Sequence, residues 1–297
     1  MLIPLTASAA QNPFVGRWDF NTPTHGVGAN WLGISEKNGK LDIWFQPLGG
    51  HVYQLTKYKQ DGSHLTMTVA PPYRNRPATV WELHPSNGKL IGTQKRGTHT
   101  ISLAGVPAPA LNHQSPAAWS KPEPLFNGNN LDGWTPVPGT GQSHWTAQDG
   151  MLVNAARGAD LKTTRKFKDF KLHFEVNCPK NANSGFYLHG RYELQIESEP
   201  IDKNKPKERI GAIYGRIAPS ITLPRTPGKW ETFDVTLVGR TVTVHQDGKL
   251  TIDHKLIEGI TGGALDANEG EPGPFYIQGD HTGGLKFRNI TVQVPRS

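Results

Sequence analysis

The chain has 297 residues, a formal net charge of +7, 33 glycines, 24 prolines and one cysteine, which suits one very large domain or two ordinary ones. The lone Cys178 excludes an intramolecular disulfide and a cysteine metal cluster, and no stretch reaches the roughly 20 apolar residues that span a bilayer. Positive charge is spread along the sequence apart from Lys203 to Arg209, and no basic run interleaves with aromatics, so neither nucleic acid nor a membrane is expected as a partner.

Residues 1–10 resemble the remnant of a secretory signal peptide, an apolar patch followed by small residues suited to cleavage but without a positive start. They predict export, to the periplasm or the medium of a bacterium. From residue 11 to 104, short alternating runs such as Leu41-Asp42-Ile43-Trp44-Phe45 and Leu65-Thr66-Met67-Thr68-Val69 predict about six to eight strands, broken by glycine-rich turns. The Gly16-Arg17-Trp18 opening is similar to that of small lipocalin-like barrels, so this region is expected to be a small β-barrel with a supporting or substrate-presenting role. Trp31, Trp44 and Trp81 are expected to pack in its core or rim, and its histidines are too scattered for a metal site.

Residues 105–123 are rich in proline and alanine and read as a linker, with Trp119 positioned to pin it to a surface. Lys203 to Arg209 reads as a solvated loop or a mobile rim. From 124 to 297 the pattern predicts about ten to twelve strands, many with one apolar face, as in Phe170, Leu172, Phe174 and Val176. Stacked antiparallel sheets of this kind form a sandwich of jelly-roll type, so the whole chain is expected to be all-β.

The stretch from Asn183 to Glu197 reads as a strand with Phe186, Leu188, Tyr192, Leu194 and Ile196 on one face and Tyr187, His189, Arg191, Glu193, Gln195 and Glu197 on the other. Two carboxylates, a guanidinium, an imidazole, a phenol and an amide in one row form a sugar-binding or acid–base surface.

Several blocks resemble a known family. Leu125-Phe126-Asn127-Gly128, with Leu131 and Gly133-Trp134 behind it, is similar to its LFNGxxLxGW opening, and Trp145 with Asp149-Gly150 to the block that follows. Asn183-Ser184-Gly185, Tyr192-Glu193-Leu194-Gln195, Gly211-Ala212-Ile213-Tyr214 and Phe287-Arg288-Asn289-Ile290 continue the match in order. The chain thereby resembles the 3-keto-disaccharide hydrolase family over residues 122 to 295. The resemblance implies a jelly roll similar to concanavalin A and laminin G domains, and cleavage of the glycosidic bond of sugars already oxidised to a ketone at C3.

Such a ketone acidifies the C2 proton, so the C1 leaving group can depart by elimination and water can add to the enone. A base, an acid and an electrophile for the enolate oxygen are required. Glu175, Glu193 and His189 are the catalytic candidates. The two glutamates serve as base and acid in open order, and His189 or His281 could replace either. Arg191, Gln195 and Gln278 are candidates to polarise the ketone or hold hydroxyls, Tyr187, Tyr214 and Trp230 to line the ring, and His281 is a further substrate-binding candidate. No cofactor is expected. A divalent ion would ease enolate formation and these acids and histidines could bind one, but the sequence has no compact ligand motif. A separate sugar 3-dehydrogenase would have to supply the substrate, a small sugar.

Two rivals come from other mechanisms. Laminarinase-like retaining hydrolysis uses an E-x-D-x-x-E strand, which falls here on Glu193, Gln195 and Ser198 and so lacks two of its three acids. A non-catalytic carbohydrate-binding protein would favour exposed aromatics over carboxylates.

Overall fold

The computed structural model describes residues 12–21, 28–71, 77–198, 202 and 204–296. The signal-like start and Lys203 lie outside these residues. Among the described residues there is no helix. Among these residues two compact units emerge, the first from 12–20, 31–45, 53–71 and 77–107 and the second from 21, 28–30, 46–52, 108–198, 202 and 204–296.

The strands of the first region are β1 (Gly16–Asn21), β2 (Ala29–Lys37), β3 (Lys40–Gln46), β4 (Tyr53–Leu55), β5 (Tyr58–Asp61), β6 (His64–Val69), β7 (Thr79–Ser86), β8 (Lys89–Arg96) and β9 (His99–Pro107). They form one sheet in the order β4-β3-β2-β1-β9-β8-β7-β6-β5 that curls until β4 lies near β6. This is the expected nearly closed barrel. Its interior is set by period-two alternation, as in β6, where Leu65, Met67 and Val69 are buried and the residues between them exposed. Phe20 and Phe45 meet Trp81 edge-on, both at 5.2 Å between centroids, an arrangement that ring quadrupoles favour. Trp44 is instead exposed.

The predicted linker boundary falls inside β9, since Gly105, Val106 and Pro107 pair with Phe20, Asp19 and Trp18. From Ala108 the chain is packed rather than free. Arg240 donates to the carbonyls of Pro109 and Ala110, Ser120 N–H donates to the Val294 carbonyl, and Trp119 bridges to Pro295.

The second region contains β10 (Glu123–Pro124), β11 (Trp134–Pro136), β12 (Trp145–Gln148), β13 (Met151–Asn154), β14 (Leu161–Phe167), β15 (Phe170–Asn177), β16 (Asn183–Leu188), β17 (Tyr192–Glu197), β18 (Trp230–Val238), β19 (Thr241–Gln246), β20 (Lys249–Leu256), β21 (Gly273–Ile277) and β22 (Lys286–Gln293). One sheet runs β12-β13-β22-β15-β18-β19-β20 with β10 beside β22, and a five-stranded sheet runs β11-β14-β21-β16-β17. Aromatic rings join the two. Phe174 of β15 stacks on Phe186 of β16 at 4.4 Å, and Phe233 and Phe287 from the larger sheet close around them with Phe275 of β21. This is the expected β-sandwich. Its packing fixes direction: residues in phase with Phe174 or Phe186 enter the core, and their neighbours project from opposite outer faces.

Candidate active site

Polar side chains gather on the outer face of the five-stranded sheet. The β16–β17 register pairs Tyr187 with Glu193 and Gly185 with Gln195, and β21 places Tyr276 beside Tyr187. Gln278 follows two residues after Tyr276, and Asp160 stands just before β14, whose Lys162 pairs with Tyr276. Tyr187, Glu193, Gln195, Tyr276, Gln278 and Asp160 are all buried, so segments outside the sheet cover this face. One is the strip from Gly211 to Tyr214, whose backbone follows β17: Gln195 N–H donates to the Ala212 carbonyl and Tyr214 N–H to the Glu193 carbonyl. Another runs from Thr261 to Glu271. Thr261 Oγ1 accepts from the Glu193 N–H, and the Gly262 carbonyl accepts from the Tyr187 hydroxyl at 2.7 Å.

Glu193 lies at the centre. Its carboxyl fills the space above Gly185, where a Cβ would stand 2.4 Å from Oε1. With its amide turned so that the nitrogen faces these acceptors, Gln195 donates to that oxygen at 3.0 Å and to the Ser184 carbonyl at 3.2 Å, and Gln278 donates to the Tyr187 hydroxyl at 2.9 Å. Burial pushes the carboxyl up to about 8 against the opposing effects of Tyr187 and of His281, because ionisation without water is costly. Glu193 therefore holds a proton at neutral pH.

Asp160 is a second shifted acid, pushed up to about 6 by burial and by the charge of Asp280. Its carboxylate accepts from the Gly279 N–H at 2.7 Å and from the Tyr276 hydroxyl at 3.1 Å. The Tyr276 ring stacks on Tyr187 at 4.3 Å, and burial holds both hydroxyls well above their usual range, leaving them as donors. At the rim, Asp280 and His281 form an ion pair with both side chains nearly half exposed. That pairing raises the imidazole above its ordinary value, and the charge of Asp160 acts in the same direction. Tyr214, beside Glu193, is pushed up to about 12, chiefly by burial.

The structure therefore brings together Glu193, Gln195, Tyr187, Tyr214, Gln278 and His281. It separates the others. Glu175 alternates with Phe174 and projects from the far face of the larger sheet, bound to Arg288 at 2.7 Å and Asn289 at 2.6 Å. Burial would raise it, but these partners outweigh burial and hold it below its usual range. The expected Glu175–Glu193 pair is thus corrected: the aromatic core lies between them, and they cannot share a sugar. Trp230 lies on that same far sheet, capped by Arg288 at 4.0 Å.

His189 and Arg191 also leave the candidate site. The strand stops at Leu188, and Arg191 N–H closes a turn onto the Leu188 carbonyl across His189 and Gly190, with φ of 57° and 67°. Positive φ at both central positions marks a type I′ hairpin, which interrupts the two-residue alternation. His189 packs edge-on against Phe170, hydrogen-bonds the Lys168 carbonyl and is lowered to about 4, chiefly by burial. Arg191, fully buried, clamps Asp266 at 2.7 Å and the Glu271 carbonyl at 2.8 Å. Glu197 and Ser198 are structural as well: Glu197 accepts from the Ile210 N–H, and Ser198 donates to the Pro179 carbonyl. Sequence reasoning missed Asp160, Tyr276 and Asp280. Tyr276 was legible from its alternation with Phe275, whereas Asp160 precedes its strand and carries no periodic signal. Among the described residues no three His, Cys, Asp or Glu side chains form a metal-ligating group.

The sandwich thus bears a buried carboxyl amid amides and phenols on one outer face. The family model of the 3-keto-alpha-glucoside-1,2-lyase-like domain matches residues 121–293, more than half of the chain, and the protein belongs to that family. Two crystal structures of candidate glycosyl hydrolases from Parabacteroides distasonis are similar. One is 28% identical, with 58% of this chain and 83% of that one covered and a TM-score of 0.48. The other is 22% identical, with 59% and 100% covered and a TM-score of 0.44. A carbohydrate-binding module from Bacillus subtilis aligns at 17% identity over 56% of this chain and 98% of its own, with a TM-score of 0.32. Comparison with curated proteins returns no match.

Proposed function

We propose that this protein cleaves the glycosidic bond of 3-keto-glycosides by elimination followed by hydration, with Glu193 as the general acid and His281 as the general base. The observation that carries this reading is the buried Glu193 carboxyl, seated over Gly185 beside Tyr187 and Gln278, where burial favours its protonated form. A base takes the C2 proton, electrons move to the C3 oxygen, and the C1–O bond breaks as Glu193 protonates the departing oxygen. Water then adds across the C1=C2 bond and restores a saturated 3-keto sugar, with no net redox change. The Gln278 amide, with one N–H on the Tyr187 hydroxyl, offers its second as a neutral donor for the enolate oxygen. His281, paired to Asp280 at the rim and nearly half exposed, is the imidazole of this cluster. A separate dehydrogenase must introduce the ketone, and export to the periplasm or medium would place the enzyme where disaccharides arrive.

Incubating the protein with a 3-keto-disaccharide and with its unoxidised parent tests the proposal. Turnover of the keto sugar alone is expected. Turnover of the parent would point to direct hydrolysis instead, and binding without turnover to a recognition module.

A further inference from the structure

The second unit includes residues 46–52, which lie far upstream of the family-matched region. This segment is held against the backbone that covers Glu193. The Leu48 carbonyl accepts from the Gly263 N–H at 2.7 Å. A Cβ on Gly262 would come within 2.2 Å of the Gly50 carbonyl oxygen, and one on Gly263 within 2.4 Å of the Tyr187 hydroxyl. Two adjacent glycines therefore touch segment 46–52 on one side and the Tyr187–Glu193 contact on the other. The segment is itself braced, because the buried Gln46 side chain donates to the Pro47 and Gly50 carbonyls.

A second line of contact reaches the same place. The Cβ of His51 sits so close to Gly215 that a side chain there would approach it to 2.8 Å. The residue before Gly215 is Tyr214, bound through its N–H to Glu193. His51 Nδ1 lies 3.1 Å from Glu208, and its side chain is 53% exposed. Leu48 is also among the exposed large hydrophobic residues.

We infer that residues 46–52 form a wall of the sugar site, with His51 and Leu48 contacting the leaving group of the substrate and selecting a second sugar ring over a flat aromatic aglycone. Glu208 holds His51 through Nδ1, so its other ring nitrogen is free to hydrogen-bond a hydroxyl. Leu48 offers an apolar surface to the C–H face of a pyranose. This inference rests on the function proposed above and adds the residues that choose its substrate.

The experiment compares the full-length protein with His51→Ala and Leu48→Ala, using a 3-keto-disaccharide and a 3-keto aryl glucoside. Both positions are exposed, so near-ultraviolet circular dichroism should remain unchanged. His51→Ala should raise KM for the disaccharide roughly five- to tenfold, the scale of one lost hydrogen bond, leaving kcat and the aryl substrate within about twofold. Equal changes for both substrates, or none for either, would overturn the inference. If the wild type turns over neither keto sugar, the functional proposal itself fails. Calorimetry with unoxidised disaccharides and monosaccharides then decides the wall separately. A selective loss of disaccharide affinity in His51→Ala sustains it, and an unchanged preference or no binding removes it.

Discussion

Glu193 keeps its proton because water cannot reach it, and the same cause makes it a liability for stability. Its folded-state value, about 8, lies above the ordinary 4.5. Between those limits the native state holds a proton that the unfolded chain releases, so this contribution to stability is complete below about pH 4.5 and falls as pH rises to about 8. Asp160, shifted from 3.8 to about 6, acts in the same direction over a lower window. Glu193→Gln carries no ionisable group and should escape the decline. Thermal scans at pH 5 and pH 9 should show the variant gaining on the wild type at the higher pH by several degrees, at ~2–4 °C per kcal/mol. Its turnover should fall by roughly 10²–10⁴-fold. In the wild type, kcat/KM should drop as pH rises through about 8, when the acid loses its proton. Asp280→Asn removes the group that raises His281, so the acid limb of the profile should move to lower pH. Glu175→Gln, on the opposite sheet, should leave kcat within about threefold, and a loss like that of Glu193→Gln would return Glu175 to the mechanism.

At the scale of elements, the β16–β17 hairpin delivers Tyr187, Glu193 and Gln195, while the segment from Thr261 to Glu271 covers them. Arg191, just past the hairpin turn, ties that segment down through Asp266 and the Glu271 carbonyl. Arg191→Ala should cost about 2 kcal/mol, below the usual range for a broken buried pair because Asp266 stays one-third exposed. Chemical denaturation would measure it. Gly263 adopts φ of +79° against the Tyr187 hydroxyl, so Gly263→Ala meets both backbone strain and a collision. Its expected signature is a lowered kcat from a displaced Tyr187, read alongside a reduced melting temperature.

Over the whole molecule, the sandwich core separates two outer faces with different fates. One is buried beneath covering segments and holds shifted acids. The other carries Glu175, Arg288 and Trp230 in open ion-pair and cation–π contacts. The second unit also needs residues from both ends of the chain, since 46–52 sit on Gly262 and Gly263. A chain beginning at Ala108 should therefore melt below the full-length sandwich, and calorimetry of the two forms would show it.

Alternation, turn glycines and ordered family blocks determined the all-β class, the sandwich and the outward direction of Tyr187, Glu193, Gln195 and Gln278, because a strand's period is local and survives any packing. The sequence could not say which outer faces coincide. Glu175 and Glu193 obey the same alternation, and only the stacking of Phe174 on Phe186 shows that they point apart. Nor could period two foresee the turn at His189 and Gly190, where positive φ stops the strand and sends the imidazole and guanidinium to structural partners. The company of Asp160 and the reach of residues 46–52 were decided by tertiary packing alone, since groups far apart in the chain share a dielectric environment only after folding excludes water between them.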